Sequence, residues 1–289
     1  MPDPTSADVQ DNAAQIAYWN DKAAVTWTAF QERLDTLFEP ITALAIDAAA
    51  PAPGEHVIDI GCGCGATVLA LASRIGPTGR VVGLDVSEPM SARARERIEA
   101  AGLTNAQVIL SDAATHVFPS KDADLLFSRF GVMFFADPVA AFANLRQSMR
   151  PGGRLLCAAW RSLADNPWFD VPLQAARPLL PPQPPIGPDE PGPFAFANAD
   201  RTRRILTQGG WRDATLTRHD VPMHFADAGH IDQAAEFATR VGMLARILAD
   251  ADPDVRSRAR QAVAEALKAY DGPDGITLSG SIWLLSARA

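Results

Sequence analysis

Nine consecutive residues, Val57-Ile58-Asp59-Ile60-Gly61-Cys62-Gly63-Cys64-Gly65, constrain this chain more than any other stretch. A short run, apolar but for one acid, gives way to alternating glycines. Val68, Leu71, Ala72 and Ile75 then recur at helical spacing until Gly76-Pro77 stops the pattern. A strand that breaks into glycines and reopens as a helix is a place where the backbone turns tightly and a ligand can approach the main chain closely. Twenty positions beyond Gly65, a second apolar run, Val81-Val82-Gly83-Leu84, ends in Asp85, where an acid can accept hydrogen bonds from ribose hydroxyls.

The same rhythm continues to residue 160. Val108-Ile109-Leu110, Leu125-Leu126-Phe127 and Leu155-Leu156-Cys157-Ala158-Ala159 are further apolar runs without alternation, as expected of parallel strands buried on both faces. Helical segments separate them. One is capped by Ser87 with Pro89 in its first turn; another is capped by Asp137, presents Val139, Phe142, Leu145 and Met149 inward, and stops at Pro151-Gly152-Gly153. Strands alternating with helices of this size predict a doubly wound α/β sheet that binds its ligand at the carboxyl ends of the strands. Further on, the spacing predicts a helix over 201–208, a strand over 214–225 in which Pro222 demands an edge or a bulge, helices over 231–249 and 253–269, and a last strand over 281–286. Residues 10–49 read as helices bearing Tyr18, Trp19, Trp27 and Phe38. The chain is expected to divide into a helical cap over 1–50 and one α/β domain over 51–289.

Composition removes several function classes. Lys and Arg number 26 against 34 Asp and Glu, a formal charge of −8, which disfavours a sequence-independent grip on nucleic-acid phosphate or an anionic membrane surface. No apolar run approaches the roughly 20 residues that cross a bilayer, and the first residues show neither the basic nor the apolar region of a secretory leader. Three cysteines suit a reducing compartment, so a cytoplasmic protein is expected. Cys62 and Cys64 form a Cys-x-Cys, yet Cys157 and the scattered His56, His116, His219, His224 and His230 complete no ligand pattern with workable spacing, and no metal is expected. Eight of the 23 prolines fall in residues 178–193, which reads either as a stiffened lid within an insertion at about 161–200 or as a surface connector.

Two cofactor classes use a strand, glycine loop, helix and acid in this order. A dinucleotide site wants G-x-G-x-x-G, whereas here the spacing is G-x-G-x-G behind an acid inside the strand; that carboxylate would repel a pyrophosphate and suits a cationic ligand. At this point the sequence resembles the class I S-adenosylmethionine-dependent methyltransferases. It is most similar to the small-molecule branch that includes the quinone-biosynthesis C-methyltransferases. Val82-Gly83-Leu84-Asp85, Ser111-Asp112-Ala113 and Arg150-Pro151-Gly152-Gly153-Arg154-Leu155 match that family's further motifs.

The resemblance implies a Rossmann-like seven-stranded sheet with its last strand antiparallel, a helical cap before it and an insertion after the fifth strand. It implies that S-adenosylmethionine gives its methyl group to a small, partly apolar molecule. Asp59 and Gly61 would lie by the methionine amino group, Gly63 and Gly65 with Cys62 would line the path to the ribose, and Asp85 with Val86 would hold the ribose. Asp112 and Ala113 would meet the adenine, and Ser128 would stand at the cofactor's edge. Met90 would pack on the adenine or fill the core. Tyr18, Trp19 and Trp27 would roof the site or serve as core; Trp160 and Trp168, after the fifth strand, leave the same two uses open. A sulfonium methyl is already activated, so alignment alone can suffice and no catalytic side chain need be visible. His116 and Arg129 are the candidates: the first as a base or a plain loop residue, the second holding an anionic or carbonyl group of the acceptor or pairing with a structural acid. Arg93, Arg95, Glu96, Arg97 and Glu99 read as a solvated helix face. Two rival readings are a non-catalytic cofactor-binding protein on the same fold and a nicotinamide-dependent oxidoreductase.

Overall fold

Apolar runs form the strands, and the glycines and prolines between them set where each strand ends. The computed structural model describes residues 5–182, 187 and 190–289, with side chains from residue 13 onward except that of residue 22. β1 (His56–Ile60) lies between β2 (Arg80–Asp85) and β4 (Ala123–Arg129), with β3 (Ala106–Leu110) beyond β2 and β5 (Met149–Trp160) beyond β4, all parallel. β8 (Gly275–Arg288) runs antiparallel beside β5, and β6 (Arg212–Ala226) closes the edge on β8, giving the order β3-β2-β1-β4-β5-β8-β6. A two-residue β7 (Asp271–Gly272) makes a hairpin with the start of β8. The doubly wound sheet with its last strand antiparallel is therefore present. Pro222 is accommodated because β6 is an edge strand, where a missing N–H faces away from the ladder.

Helices cover both faces. α1 (Thr5–Asn20), α2 (Lys22–Ala29) and α3 (Gln31–Ala49) precede the sheet; α4 (Ala66–Ile75), α5 (Glu88–Ala100) and α6 (Pro138–Arg146) connect the parallel strands. α7 (Pro167–Ala176) and α8 (Ala199–Gln208) follow β5, and α9 (Ile231–Arg240), α10 (Met243–Leu248) and α11 (Pro253–Leu267) sit between β6 and β8. The inward stripe of α4 is fully buried, as its spacing demands. α3 buries Leu34, Leu37, Phe38, Ile41 and Ala45 against β4, β5 and β6, so the cap is part of the core. Asp137 caps α6 by accepting from the N–H of Ala140 at 2.9 Å.

Several boundaries differ from the sequence reading for physical reasons. The helix expected over 231–249 is broken at Gly242, whose φ of 82° only glycine adopts easily, giving α9 and α10. α6 stops at Arg146, and the Pro151-Gly152-Gly153 turn is drawn into β5, with the register against β4 slipping between Ala123 and Leu125. Ser87 occupies the cap position of α5, but its hydroxyl makes no cap bond; the Asp85 carboxylate accepts from the Ser87 N–H at 2.9 Å. Of the proline segment over 178–193, residues 183–186, 188 and 189 lie outside the described residues. Its far flank is tied down where the Gly192 N–H donates to the Met133 carbonyl at 3.0 Å.

Candidate active site

The carboxyl ends of β1, β2 and β4 meet at the glycine loop. Gly61 has φ 67° and passes so near β4's end that a Cβ there would lie 2.5 Å from the Gly131 Cα. A side chain there would need both a left-handed backbone and a shift of one of the two touching turns, which favours glycine strongly. Gly65, at φ 84°, begins α4 and faces Ala94 of α5, where a Cβ would lie 2.9 Å from the alanine methyl. Gly63 is different: its nearest neighbour would be the Met90 sulfur at 4.0 Å, so its requirement is a φ of 54° and not close packing. Cys62 is buried beneath the loop against Gly83 of β2, and burial pushes its thiol pKa well up. Cys64 touches the Trp27 carbonyl at 3.9 Å, and its own carbonyl accepts from Arg97 at 2.6 Å. Both cysteines are inert packing groups, and among the described residues no cluster of three His, Cys, Asp or Glu is arranged to hold a metal ion.

Asp59 is the most unusual group of the site. It is completely buried at the end of β1; Oδ2 accepts from the Thr67 hydroxyl on α4, while Oδ1 accepts nothing among the described residues. Burial raises its pKa to about 7, against the pull of the Thr67 hydroxyl and of Arg129 and with a push from Asp85. An orphaned carboxylate oxygen in a dry place is costly unless a cation or donor meets it.

Asp85 stands beside it, buried, with its pKa raised by burial against the opposing backbone donors. Oδ2 accepts from the Gly63 N–H at 2.7 Å and Oδ1 from the Ser87 N–H, so this acid fixes the glycine loop to the start of α5 and keeps further lone pairs on each oxygen. Val86 follows, its carbonyl accepting from Asn20 at 2.9 Å, while the Asn20 Oδ1 accepts from the Glu88 N–H at 2.9 Å. Asn20 thus pins the end of α1 across the mouth of this loop, a role that no spacing in the sequence reveals. Met90 is buried against Gly63. Asp112 takes the Ala114 N–H at 3.0 Å, Ala113 is buried, and both lie beyond β3. His116 shares that loop, its Nδ1 3.0 Å from the Ser111 hydroxyl and its ring edge-on to Phe118. β3 is three strand spacings from β4, roughly 14 Å, so the structure does not bring His116 together with Arg129.

At the end of β4, Ser128 donates to the Ile60 carbonyl at 2.8 Å and accepts from the Gly131 N–H at 3.2 Å, so its hydroxyl ties β1 to the turn after β4. Arg129 donates to the Thr42 hydroxyl at 2.6 Å and stacks over Phe38 at 5.2 Å, with burial lowering its pKa against the fields of Asp35 and Asp59. None of the described ion pairs includes it. Thr42 was not evident in the sequence, because it lies 87 residues away on α3.

Tyr18, Trp19 and Trp27 do converge. Trp19 meets Tyr18 at 5.3 Å, Trp27 at 5.8 Å and Phe134 at 5.0 Å, so the end of α1 and α2 lie over the glycine loop. The charged face of α5 is not wholly solvated, contrary to the pattern. Arg97 bridges the Cys64 carbonyl and Asp35, and Arg93 holds the Gln31 side chain at 3.1 Å, bracing α5 against α3.

Comparison with known proteins agrees with this geometry. The family model for a methyltransferase domain matches residues 57–153. Over 118 residues the chain is 36% identical to the aklanonic acid methyltransferase DauC of Streptomyces sp. strain C5, covering 41% of this chain and 54% of that protein. Over 104 residues it is 34% identical to a demethylmenaquinone methyltransferase of Listeria welshimeri, covering 36% and 44%. The chain thus spans about half the length of the curated relatives it matches. Among solved structures, the YcgJ protein of Bacillus subtilis shares the fold with a TM-score of 0.56 and 15% identity, covering 86% of this chain and 97% of that one. Residues 57–153, which carry the glycine loop and the strands around it, are thus similar to a methyltransferase domain.

Proposed function

We propose that this chain transfers a methyl group from S-adenosylmethionine to a small, partly apolar molecule. The observation that carries the reading is the buried, unpartnered Oδ1 of Asp59 beside a glycine loop that has room for a ligand's backbone-side approach at Gly63. A cationic amino group satisfies that oxygen, and a pyrophosphate does not, which supports the methyl donor over a nicotinamide dinucleotide.

S-adenosylmethionine supplies, when bound, an electrophilic methyl carbon on a sulfonium. Asp59 would hold its amino group and Gly61 and Gly63 would give its amino-acid and ribose parts close backbone approach. The spare lone pairs of Asp85 would take the ribose hydroxyls beside Val86, with Met90 below and Asp112 and Ala113 toward the adenine. Tyr18, Trp19 and Trp27 exclude water from above. Arg129, anchored by Thr42, would orient an oxygen of the acceptor. Alignment of this kind can lower a barrier by about 7–11 kcal/mol without proton transfer. No helix among the described residues is long and apolar enough to cross a membrane. Work in the cytoplasm is part of the proposal, supported by three free cysteines.

Isothermal titration tests the reading. S-adenosylmethionine and S-adenosylhomocysteine should each bind one per chain while NADH gives no heat; silence with both sulfur ligands, or binding of NADH in their place, overturns it.

A further inference from the structure

The glycine loop is held from two sides. Toward β2, the Gly61 and Cys62 N–H groups both donate to the Leu84 carbonyl, at 2.8 and 3.2 Å, and the Gly63 N–H donates to Asp85. The Gly65 N–H closes the loop on itself by donating to the Cys62 carbonyl at 2.9 Å. On the outer side, the Cys64 carbonyl accepts from Arg97 Nη1 at 2.6 Å, and a charged donor makes a strong bond of this kind. A loop with glycine at every second position has little stiffness of its own, so bonds from outside decide its shape.

Arg97 is itself aimed by the N-terminal helices. Its Nη2 donates to Asp35 Oδ2 on α3 at 2.7 Å, and the two side chains are only 19% and 25% exposed. The guanidinium is a rigid planar fork, so fixing Nη2 on Asp35 points Nη1 at the Cys64 carbonyl. Asp35 Oδ2 also accepts from the Gln31 amide at 2.6 Å, and the Gln31 Oε1 accepts from Arg93 Nε and Nη2 at 3.2 and 3.1 Å. Two residues of α3 one turn apart, 31 and 35, therefore meet two of α5 one turn apart, 93 and 97. An isolated exposed ion pair would contribute little. This one is shielded and buttressed, and a side chain already ordered by one partner loses less freedom in holding a second.

We infer that Asp35 and Arg97 are positioning residues for the cofactor: Asp35 orients Arg97, and Arg97 holds the Cys64 carbonyl and with it the glycine loop in the shape that takes S-adenosylmethionine. Asp35 lies outside residues 57–153, the part similar to a methyltransferase domain, so the helices before the sheet belong to the cofactor site through this relay. The identity of the ligand rests on the methyl-donor reading; the hold on the loop rests on the contacts alone. A loop that spends less time in the competent shape lowers apparent affinity by that fraction, and losing one charged hydrogen bond should weaken binding roughly 10-fold.

The test compares Asp35→Ala, Arg97→Met, the double variant and a control, Arg154→Met, in the full chain. Arg154 makes an ion pair of similar shielding with Glu55, 20% and 14% exposed, but at the amino ends of the strands, away from the loop. Calorimetry with S-adenosylhomocysteine, under conditions where urea unfolding shows each protein folded, should find Asp35→Ala and Arg97→Met both weakened roughly 10-fold. The double variant should be little worse than either single one, because the two residues act in series. Arg154→Met should lose stability and keep its affinity. One substitution removes a negative charge and the other a positive one, so a plain field effect would move affinity in opposite directions. Opposite directions, unchanged affinity in either variant, additive losses, or an equal loss in Arg154→Met overturns the inference. If Arg97→Met does not fold, Arg97→Lys, which keeps the charge without the fork, replaces it under the same criteria.

Hydrogen exchange of the ligand-free proteins supplies a readout that needs no cofactor. Amides of residues 61–65 should exchange faster in Asp35→Ala and Arg97→Met than in the unmodified protein or Arg154→Met. Should the unmodified protein fail to bind S-adenosylhomocysteine while exchange behaves as stated, the methyl-donor reading falls and the hold on the loop stands. Exchange that does not change in the two variants overturns the inference whatever the ligand.

Discussion

Replacing Asp59 by Asn should make the ligand-free protein more stable and a poorer binder of S-adenosylhomocysteine. The carboxyl is fully buried, and burial lifts its pKa in the native state from an ordinary 3.8 to about 7. In the unfolded chain it returns to the ordinary value. From about pH 4 to pH 7 the native state therefore keeps a proton that the unfolded state has released, and stability falls as pH rises through that window. Above pH 7 the penalty is complete. At about 1.4 kcal/mol per pH unit its ceiling is about 4 kcal/mol. Asparagine carries no such cost and keeps an oxygen for the Thr67 hydroxyl, while its amide hydrogens need a partner that the aspartate did not. The two proteins should differ little near pH 4, and the Asn variant should lead by about 2–4 kcal/mol near pH 8. Urea unfolding of both proteins across that pH range reads the gap directly. The same variant should bind S-adenosylhomocysteine at least ~10-fold more weakly at pH 8, about 1.4 kcal/mol, because a neutral amide does not hold an ammonium group. A gap that does not change with pH, or an Asn variant that is the less stable at pH 8, would refute the reasoning: Asp59 would then be a satisfied structural acceptor.

Three further outcomes follow from the same geometry. Asp85→Ala removes the acceptor shared by the Gly63 and Ser87 N–H groups, so it should lower stability by about 2–4 kcal/mol and weaken cofactor binding more than 10-fold, measured by urea unfolding and calorimetry. Gly61→Ala drives a methyl into the Gly131 backbone at 2.5 Å and should cost more than ~3 kcal/mol or prevent folding, whereas Gly63→Ala should fold and lose cofactor affinity; equal behaviour of the two in thermal unfolding would contradict the packing described. Removing about ten residues from the proline segment over 178–193 should raise the acceptor KM and spare cofactor affinity; steady-state kinetics that do not change would make that segment a plain connector.

The motif-bearing part of the molecule was legible because local rules govern it. An apolar run without alternation is a doubly covered strand, alternate glycines end it, and the acid after β2 needs no long-range information to be found. The roof was legible only as a list of aromatics. Tyr18, Trp19 and Trp27 converge because Asn20 fixes α1 to the loop after β2 across 66 and 68 residues, which no periodicity encodes. The use of Arg129 is not legible in the sequence, since the hydroxyl it donates to, Thr42, lies on a distant helix. Charge pattern misled at α5: Arg93 and Arg97 look solvent-facing in sequence, yet α3 supplies Gln31 and Asp35 to receive them. His116 is near the glycine loop's acids only along the chain, and the sheet order separates it from β4. Ser128 sits at the strand end where a ligand contact is expected, and its bonds to Ile60 and Gly131, which no spacing encodes, tie β1 to the turn after β4.

The central claim is that the site moves a methyl group to a small molecule. Incubating the protein with methyl-labelled S-adenosylmethionine and a small-molecule cell extract measures this most directly. The label should pass into an organic-extractable compound, and the Asp59→Asn protein should move at least ~10-fold less of it at a cofactor level below saturation. Label that stays on the cofactor in every extract tried, while S-adenosylmethionine binds one per chain, would contradict methyl transfer and leave a cofactor-binding protein on this fold.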